Sequence, residues 1–250
     1  MEDNVRRKIA LITGASGEIG GAIVRRFVRD GFAVVIHYNK GKKNAEALSR
    51  YALENGGEAF LVKADITNEK EIKNMFGLIR KKFGALDILI NCAGLNNSDE
   101  RLSHITPDKF KQIIDVNLYG VAMITKIFLP LIKKSSSGRI IFVSSILAFS
   151  GSARRPAYAA AKGGIIGLAK SLALDLAPKI LVNTVVPSYI DTKMIRQSKT
   201  ETVGKRIMRI PLKRLGTTDE VAGLVSFLCS DDARYIHGQS IHVNGGVYFS

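Results

Sequence analysis

Short apolar runs alternate with amphipathic stretches along most of the chain. An apolar run at residues 8–13 (KIALIT) leads into a turn with three glycines. A helical pattern follows from about residue 19 to residue 29, with arginines on one side and apolar side chains on the other. A second apolar run occupies residues 33–38. This opening stretch predicts a βαβ unit of about thirty residues.

The same alternation continues to the C-terminus, without a linker, low-complexity tract or internal repeat. Repeated βα units with apolar strands predict a parallel sheet covered by helices on both faces. We predict one α/β domain over residues 1–250, with a cofactor-binding part at about 1–140 and a catalytic and substrate part at about 141–250. The further strands are expected at 58–63, 87–91, 139–144, 180–186 and 240–243, and the helices at 45–55, 69–83, 107–117 running on to 133, 158–177 and 218–229.

Three glycines, Gly14, Gly17 and Gly20, stand in the turn between the first strand and the first helix. Glycines at such a turn let the backbone approach a pyrophosphate, and the N-terminus of the helix offers unpaired N–H groups and a positive dipole end. A glycine-rich turn alone is a weak signal. Its place at the start of a βαβ unit is typical of a dinucleotide site.

Tyr158 and Lys162 are four residues apart in a predicted helix, so their side chains lie on one face. A free phenol has a pKa near 10, and a nearby cation lowers it toward the range in which acid–base catalysis works. Ser145, at the end of the preceding strand, could hold a substrate oxygen, whereas strand alternation points Ser144 away. The Tyr–Lys pair alone also arises by chance on helix surfaces.

Composition is that of a globular protein, with 46% hydrophobic residues and two cysteines that we expect to be buried thiols. Apolar runs fall short of the roughly 18 residues that span a bilayer, and the first residues lack signal-peptide features, so we expect a cytoplasmic protein without a membrane contact. The four histidines show no metal-ligand spacing. The formal net charge of +15 is spread thinly, which favours solvated faces and anionic small molecules or acidic partners over nucleic acid.

Five motifs, in order, resemble those of the short-chain dehydrogenase/reductase family, whose fold is a Rossmann-like doubly wound sheet. Residues 13–20 are similar to its Thr-Gly-x-x-x-Gly-x-Gly turn, and residues 91–94 to its Asn-Asn-Ala-Gly segment. Asn117 matches the family's helix asparagine, and residues 187–192 resemble its Pro-Gly-x-x-x-Thr. The catalytic serine, tyrosine and lysine are matched at the usual spacing by Ser145, Tyr158 and Lys162.

The resemblance implies hydride transfer between a nicotinamide and a substrate carbonyl. Tyr158 would exchange the proton, Ser145 would position the oxygen, and Lys162 would lower the Tyr158 pKa and bind the ribose. Asn117 would hold a relay water, or tie a helix kink, or both. The implied cofactor-binding residues are Thr13, Gly14, Ser16, Gly17, Ile19, Gly20, Tyr38, Asn39, Lys40, Asp65, Ile66, Asn91, Ala93, Gly94, Tyr158, Lys162, Pro187, Ser188, Ile190 and Thr192.

Three residues depart from the family pattern. Glu18 replaces the middle glycine of the turn and is expected to face solvent, Ser188 stands in place of a glycine, and Cys92 in place of an asparagine. The end of the second strand has no acid but three lysines at 40–43, which favours NADP(H). Gly17 stands where many NADP-dependent relatives carry arginine, so NAD(H) is the alternative. Asp65 would contact the adenine or cap a helix.

Residues 192–214 resemble the family's substrate lid. The pattern most resembles the family's 3-oxoacyl-[acyl-carrier-protein] reductases, which implies an acidic acyl carrier protein as partner and a homotetramer or homodimer. The alternatives are a dehydrogenase or ketoreductase of a small-molecule alcohol, sugar or secondary metabolite, and a non-catalytic nucleotide- or RNA-binding protein. The carrier is expected to dock at the rim, near Lys133, Lys134, Arg139 and Lys179.

Overall fold

In the part of the chain that the structure describes, seven strands form one parallel sheet in the order β3-β2-β1-β4-β5-β6-β7. The computed structural model describes residues 6–95, 100–197 and 202–249. The chain leaves β1 in one direction for β2 and β3, and in the other for β4 to β7, so a crevice opens at the carboxyl ends of β1 and β4. The strands are β1 Ile9–Thr13, β2 Ala33–Tyr38, β3 Glu58–Lys63, β4 Ile88–Asn91, β5 Gly138–Val143, β6 Ile180–Pro187 and β7 Ser240–Val243.

Helices cover both faces of the sheet, and each face has its own apolar cluster. One cluster contains Phe128 and Phe142, and the other contains Phe27 and Ile36, all fully buried. The doubly wound α/β fold predicted from the sequence is therefore confirmed. The helices are α1 Glu18–Arg29, α2 Lys42–Glu54, α3 Glu69–Phe83, α4 Pro107–Ile114, α5 Gly120–Ile132, α6 Leu147–Ser150, α7 Pro156–Leu176, α8 Lys193–Arg196, α9 Val203–Arg209 and α10 Thr218–Cys229.

A π-helical turn, Asp115–Tyr119, joins α4 to α5 within one continuous helix. By length and composition, the span Pro107–Ile132 is the one helix among the described residues that could cross a membrane, although core helices pass the same test. Its inner face packs on the sheet, with Ile113, Ile124 and Phe128 fully buried. The packing is that of a core helix.

The predicted lid is less regular than the rest of the chain. It contains the two short helices α8 and α9, and Ile190 forms an isolated bridge with Gly216. Residues 198–201 of the predicted lid lie outside the described residues. The segment leaves the carboxyl end of β6 and so lies over the crevice of the sheet.

Candidate active site

A cavity of about 800 Å³ runs along the carboxyl ends of the central strands, from the glycine turn to Tyr158. Its size is within the range of about 300–1,000 Å³ that ligand sites occupy. Most of the predicted site residues line it together: Gly14, Ser16, Gly17, Ile19, Gly20, Asn39, Lys40, Asp65, Ile66, Ala93, Gly94, Ser145, Tyr158, Lys162, Pro187, Ser188, Ile190 and Thr192. Four others, Thr13, Tyr38, Asn91 and Asn117, are not among its lining residues.

Those four residues lie behind the residues that line the cavity and contact them or the adjoining core. The Thr13 hydroxyl accepts the N–H groups of Cys92 and Ala93, both at 3.1 Å, and donates to the carbonyl of Ile90. The Asn91 amide donates to the hydroxyl of Thr125 at 3.0 Å. Tyr38 packs against the apolar cluster beside α1 and α2. Thr13 therefore fixes the loop after β4 rather than facing the ligand space.

The glycine turn is packed so tightly that two of its glycines cannot be replaced by residues with a side chain. Gly14 has φ +65°, and an added Cβ would lie 2.6 Å from Cα of Ala93. A Cβ on Gly20 would lie 2.5 Å from the carbonyl oxygen of Gly14. Gly17, which precedes α1, leaves the helix N-terminus without a side-chain cap. The residues of the turn therefore fit a cofactor phosphate, whose oxygens would accept hydrogen bonds from the backbone N–H groups at the start of α1.

Polar groups at the end of β2 form the opposite end of the cavity. The buried His37 accepts the Gly14 N–H on Nδ1 at 3.0 Å and contacts the Ala64 carbonyl through Nε2. Its burial lowers the pKa of the imidazole. Asn39 donates to Asp65 at 3.1 Å. Asp65 lines the cavity and also accepts the N–H and hydroxyl of Thr67, which lies before the helix. The cap of α3 is Asn68, so the helix-cap alternative for Asp65 is wrong, and its contact with the adenine stays a prediction.

Ser145, Tyr158 and Lys162 meet where β5 ends and α7 passes over it. Lys162 is 5% exposed, its Nζ lies 5.6 Å from the Tyr158 ring centroid, and it donates to the Val143 carbonyl at 2.9 Å. The Ser144 hydroxyl donates to the Lys162 carbonyl at 2.9 Å, as a structural role would require, and Ser144 also lines the cavity. The side chain and the backbone carbonyl of Lys162 thus both connect helix α7 to the end of strand β5.

The electrostatics of this group correct one prediction. Burial raises the pKa of Tyr158 to about 12, opposed by the charge of Arg155 and by a hydrogen bond with Ser145. Burial also lowers the pKa of Lys162 to about 8. The net shift of the phenol pKa is therefore upward, opposite to the lowering that was expected from Lys162. Spacing along a helix reveals proximity but does not reveal desolvation.

Asn117 ties the π-helical turn to the loop after β4. It is fully buried, and its Nδ2 donates to the carbonyls of Ile113 at 2.9 Å and Leu95 at 2.7 Å, while its Oδ1 accepts the Leu95 N–H at 3.1 Å. A Cβ on Gly94 would lie 2.9 Å from that Oδ1 and 3.6 Å from Lys162 Nζ. The helix-kink role follows directly from these bonds.

The predicted docking surface for a carrier is on the wrong side of the sheet. Lys133 and Lys134 follow α5, and Lys179 precedes β6, so all three lie at the amino edge, opposite the cavity. Arg139 is 5% exposed and bonds to the Gly138 carbonyl, so it is not on the surface. In a parallel sheet, residues that begin strands cannot line the edge at which the strands end.

Sequence reasoning missed several residues that line the cavity. Glu18 is exposed as predicted, but its carboxylate binds the lid: Oε2 accepts the Lys193 N–H at 2.7 Å and Oε1 accepts from Arg196 at 3.1 Å. Its unusual place in the turn was the available signal. The sequence pattern did not single out the others, which lie partly in helices α4, α6 and α8 and partly in loops: Leu95, Gln112, Leu147, Ser150, Arg155, Tyr189, Met194, Ile195, Val247 and Tyr248. In residues 6–95, 100–197 and 202–249, no group of His, Cys, Asp or Glu is placed to hold a metal ion.

A family model described as "Enoyl-(Acyl carrier protein) reductase" matches residues 14–248. The chain belongs to the short-chain dehydrogenase/reductase family. It is similar to the 3-oxoacyl-[acyl-carrier-protein] reductase FabG of Buchnera aphidicola subsp. Baizongia pistaciae, with 38% identity over 97% of this chain and 98% of that protein. The protein of the same name from Salmonella typhimurium is 39% identical over 96% and 97%.

Among solved structures, the fold is similar to a Brucella melitensis protein named short-chain dehydrogenase/reductase SDR:Glucose/ribitol dehydrogenase. The TM-score is 0.90 and the identity is 30%, over 98% of this chain and 97% of that one. Family membership makes this protein an oxidoreductase that uses a nicotinamide nucleotide.

Proposed function

We propose that this protein reduces a 3-oxoacyl thioester, carried by acyl carrier protein or CoA, to the 3-hydroxyacyl form with NADPH. The observation that carries the proposal is the single cavity that brings Ser145, Tyr158 and Lys162 to the same ligand space as the glycine turn. The names of the curated relatives support the thioester class. The proposed catalytic residues are these three together with Asn117.

Each residue has a role that its position supports. The nicotinamide, when bound, supplies the hydride to the carbonyl carbon. Tyr158, whose pKa near 12 keeps it protonated at neutral pH, donates its proton to the carbonyl oxygen. Ser145 holds that oxygen by hydrogen bond and stabilises the developing charge. Lys162, whose pKa is near 8, returns a proton to Tyr158, and Asn117 would hold a water that links Lys162 to solvent.

NADP(H) is favoured at the end of β2. Asn39, Lys40 and Ser16 line this end of the cavity, where the lysine would meet a 2′-phosphate. The nearest acid, Asp65, is engaged by Asn39 and Thr67. NAD(H) remains the alternative, and comparing the two cofactors in one assay separates them.

An acidic carrier is proposed as the partner, on the strength of the net charge of +15 and the relatives' names. Because the cavity opens at the carboxyl edge of the sheet, the carrier would approach there, past Arg154 and Arg155 at the start of α7. We also propose a cytoplasmic homotetramer or homodimer that pairs α5 and α7. On α7, Leu174 is 86% exposed and would be covered in such a pair.

The test follows NADPH and NADH absorbance separately with acetoacetyl-CoA. We expect NADPH oxidation that Tyr158→Phe reduces by about a hundredfold to ten-thousandfold, because the phenolic proton is lost. Tyr235→Phe is the matched control, since Tyr235 is fully exposed and outside the cavity. Turnover that survives Tyr158→Phe would contradict the mechanism, and turnover with NADH alone would contradict the cofactor.

A second candidate function is oxidation of a sugar or polyol, which the name of the similar Brucella melitensis structure suggests. The same residues would then run in reverse, with Tyr158 as the base. Activity with ribitol or glucose and NADP⁺, without activity on acetoacetyl-CoA, would select this candidate over the first.

A further inference from the structure

An acid in the glycine turn is held by the segment that covers the cavity. Glu18 is the first residue of α1, and its two carboxylate oxygens bond to the N–H of Lys193 at 2.7 Å and to the guanidinium of Arg196 at 3.1 Å. These partners lie more than 170 positions away in the sequence. The contact therefore joins the beginning of the fold to the loop after β6.

Arg196 is shared between two acids. Its Nη1 donates to Asp191 at 2.8 Å, while its Nη2 faces Glu18. The side chains of Glu18, Asp191 and Arg196 are 38%, 46% and 49% exposed, respectively. Ion pairs this exposed add little to folding stability. Their effect is instead on the charge at the mouth of the cavity.

The position of Glu18 makes that charge important for ligand binding. It lines the cavity beside Ser16, Gly17 and Ile19, at the uncapped N-terminus of α1. If the proposed function is correct, the cofactor phosphates bind to this turn. A bare carboxylate here would repel them, because like charges a few ångströms apart repel even at high effective dielectric constant. A guanidinium against the carboxylate cancels most of that repulsion.

We propose that Arg196 is a positioning residue for the cofactor that acts through Glu18. It neutralises the Glu18 carboxylate, so that an acid is tolerated in the phosphate-binding turn. It also keeps Thr192 and the start of α8 against the turn. The inference rests on the proposed function, because it takes the dinucleotide phosphates to bind at residues 14–20.

The experiment measures NADPH dissociation constants by fluorescence titration of the wild type and of Arg196→Gln, Glu18→Gln and the double variant. We expect Arg196→Gln to weaken binding about tenfold. Glu18→Gln should remain within about twofold of the wild type. The double variant should return to within about threefold, because it no longer carries the Glu18 carboxylate that would repel the phosphates. In turnover, KM for NADPH should follow these changes while kcat changes little.

Three further measurements separate this role from a purely structural one. The defect of Arg196→Gln should shrink in 0.5 M salt, since exposed charges are screened. Arg196→Lys, which keeps the charge, should bind NADPH nearly as the wild type does. Glu69→Gln is the matched control, because Glu69 forms an exposed pair with Lys73 at 2.7 Å outside the cavity.

Two outcomes would overturn the inference. Either NADPH binding is unchanged in Arg196→Gln, or the double variant binds as weakly as Arg196→Gln alone. A wild type that binds NADPH and shows either outcome refutes the inference and leaves the proposed function standing. A wild type that binds neither NADPH nor NADH refutes the proposed function and this inference with it.

Discussion

Replacing Lys162 by methionine should make the protein more stable while abolishing its activity. Burial lowers the pKa of Lys162 from 10.5 to about 8. At about 1.4 kcal/mol per pKa unit, carrying its charge in the folded state costs about 3 kcal/mol near pH 7. Methionine fills a similar volume and loses one hydrogen bond, to the Val143 carbonyl, worth about 1 kcal/mol. We therefore expect Lys162→Met to unfold with a free energy about 2 kcal/mol higher at pH 7.

The pH dependence of that difference follows from the direction of the shift. Between pH 8 and pH 10.5, the unfolded wild type still holds a proton that the folded protein has released. Stability rises with pH wherever the unfolded state binds more protons, so the wild type gains on the variant across this window. Below pH 8 both states are protonated and the gap is constant. Near pH 10.5 the free energy of unfolding of the variant should no longer exceed that of the wild type.

The assay is urea unfolding followed by circular dichroism at a fixed protein concentration, at each unit from pH 6 to pH 10. Only the difference between the two proteins is used, because the buried Cys229, with its pKa near 12, ionises alike in both. Lys170→Met serves as the control, since Lys170 is an exposed lysine on the same helix. A variant less stable than the wild type at pH 7, or a gap that does not close by pH 10, would refute the reasoning.

Three other substitutions test the site. Gly20→Ala places a Cβ 2.5 Å from a backbone oxygen and should abolish NADPH binding in a fluorescence titration, whereas Gly77→Ala, with open space around it, should bind normally. Asn117→Ala leaves buried backbone groups unpaired and should lower the free energy of unfolding by about 2–3 kcal/mol in urea titrations. Arg155→Met removes a charge that lowers the Tyr158 pKa, so the pH profile of 3-hydroxyacyl oxidation should move to higher pH; an unmoved profile would exclude this effect.

Regular elements were predictable where periodicity and end signals agree. The predicted bounds of β3, α3, α10 and β7 are the observed ones. Helix α3 begins after Asn68, whose side chain accepts two N–H groups, and ends at Gly84 in the left-handed conformation. Helix α10 begins with a capping box between Thr217 and Glu220. In these places the signals that start and stop a helix are local in sequence.

Elements set by distant contacts were not predictable from periodicity, and the kink at Asn117 was expected only from the family resemblance. The π-helical turn lies inside a continuous helical pattern and depends on the bonds from Asn117 to the loop at Leu95. The short helix α8 depends on Glu18, which lies far away in the sequence. The pKa of Tyr158 depends on how completely the cavity encloses it. Each of these properties belongs to the assembled tertiary structure and leaves no periodic trace in the sequence.

The spacing Tyr-x-x-x-Lys is a weak signal because it fixes only two side chains relative to each other. A reactive pair must also be fixed relative to the sheet that holds the cofactor. Here Lys162 Nζ donates to the last residue of β5, and the next residue, Ser144, donates back to the Lys162 carbonyl. These reciprocal bonds set both the height and the rotation of α7 on β5, and therefore the distance from Tyr158 to Ser145. The free energy spent on burying Lys162 is therefore linked to the positioning of the Tyr158 phenol.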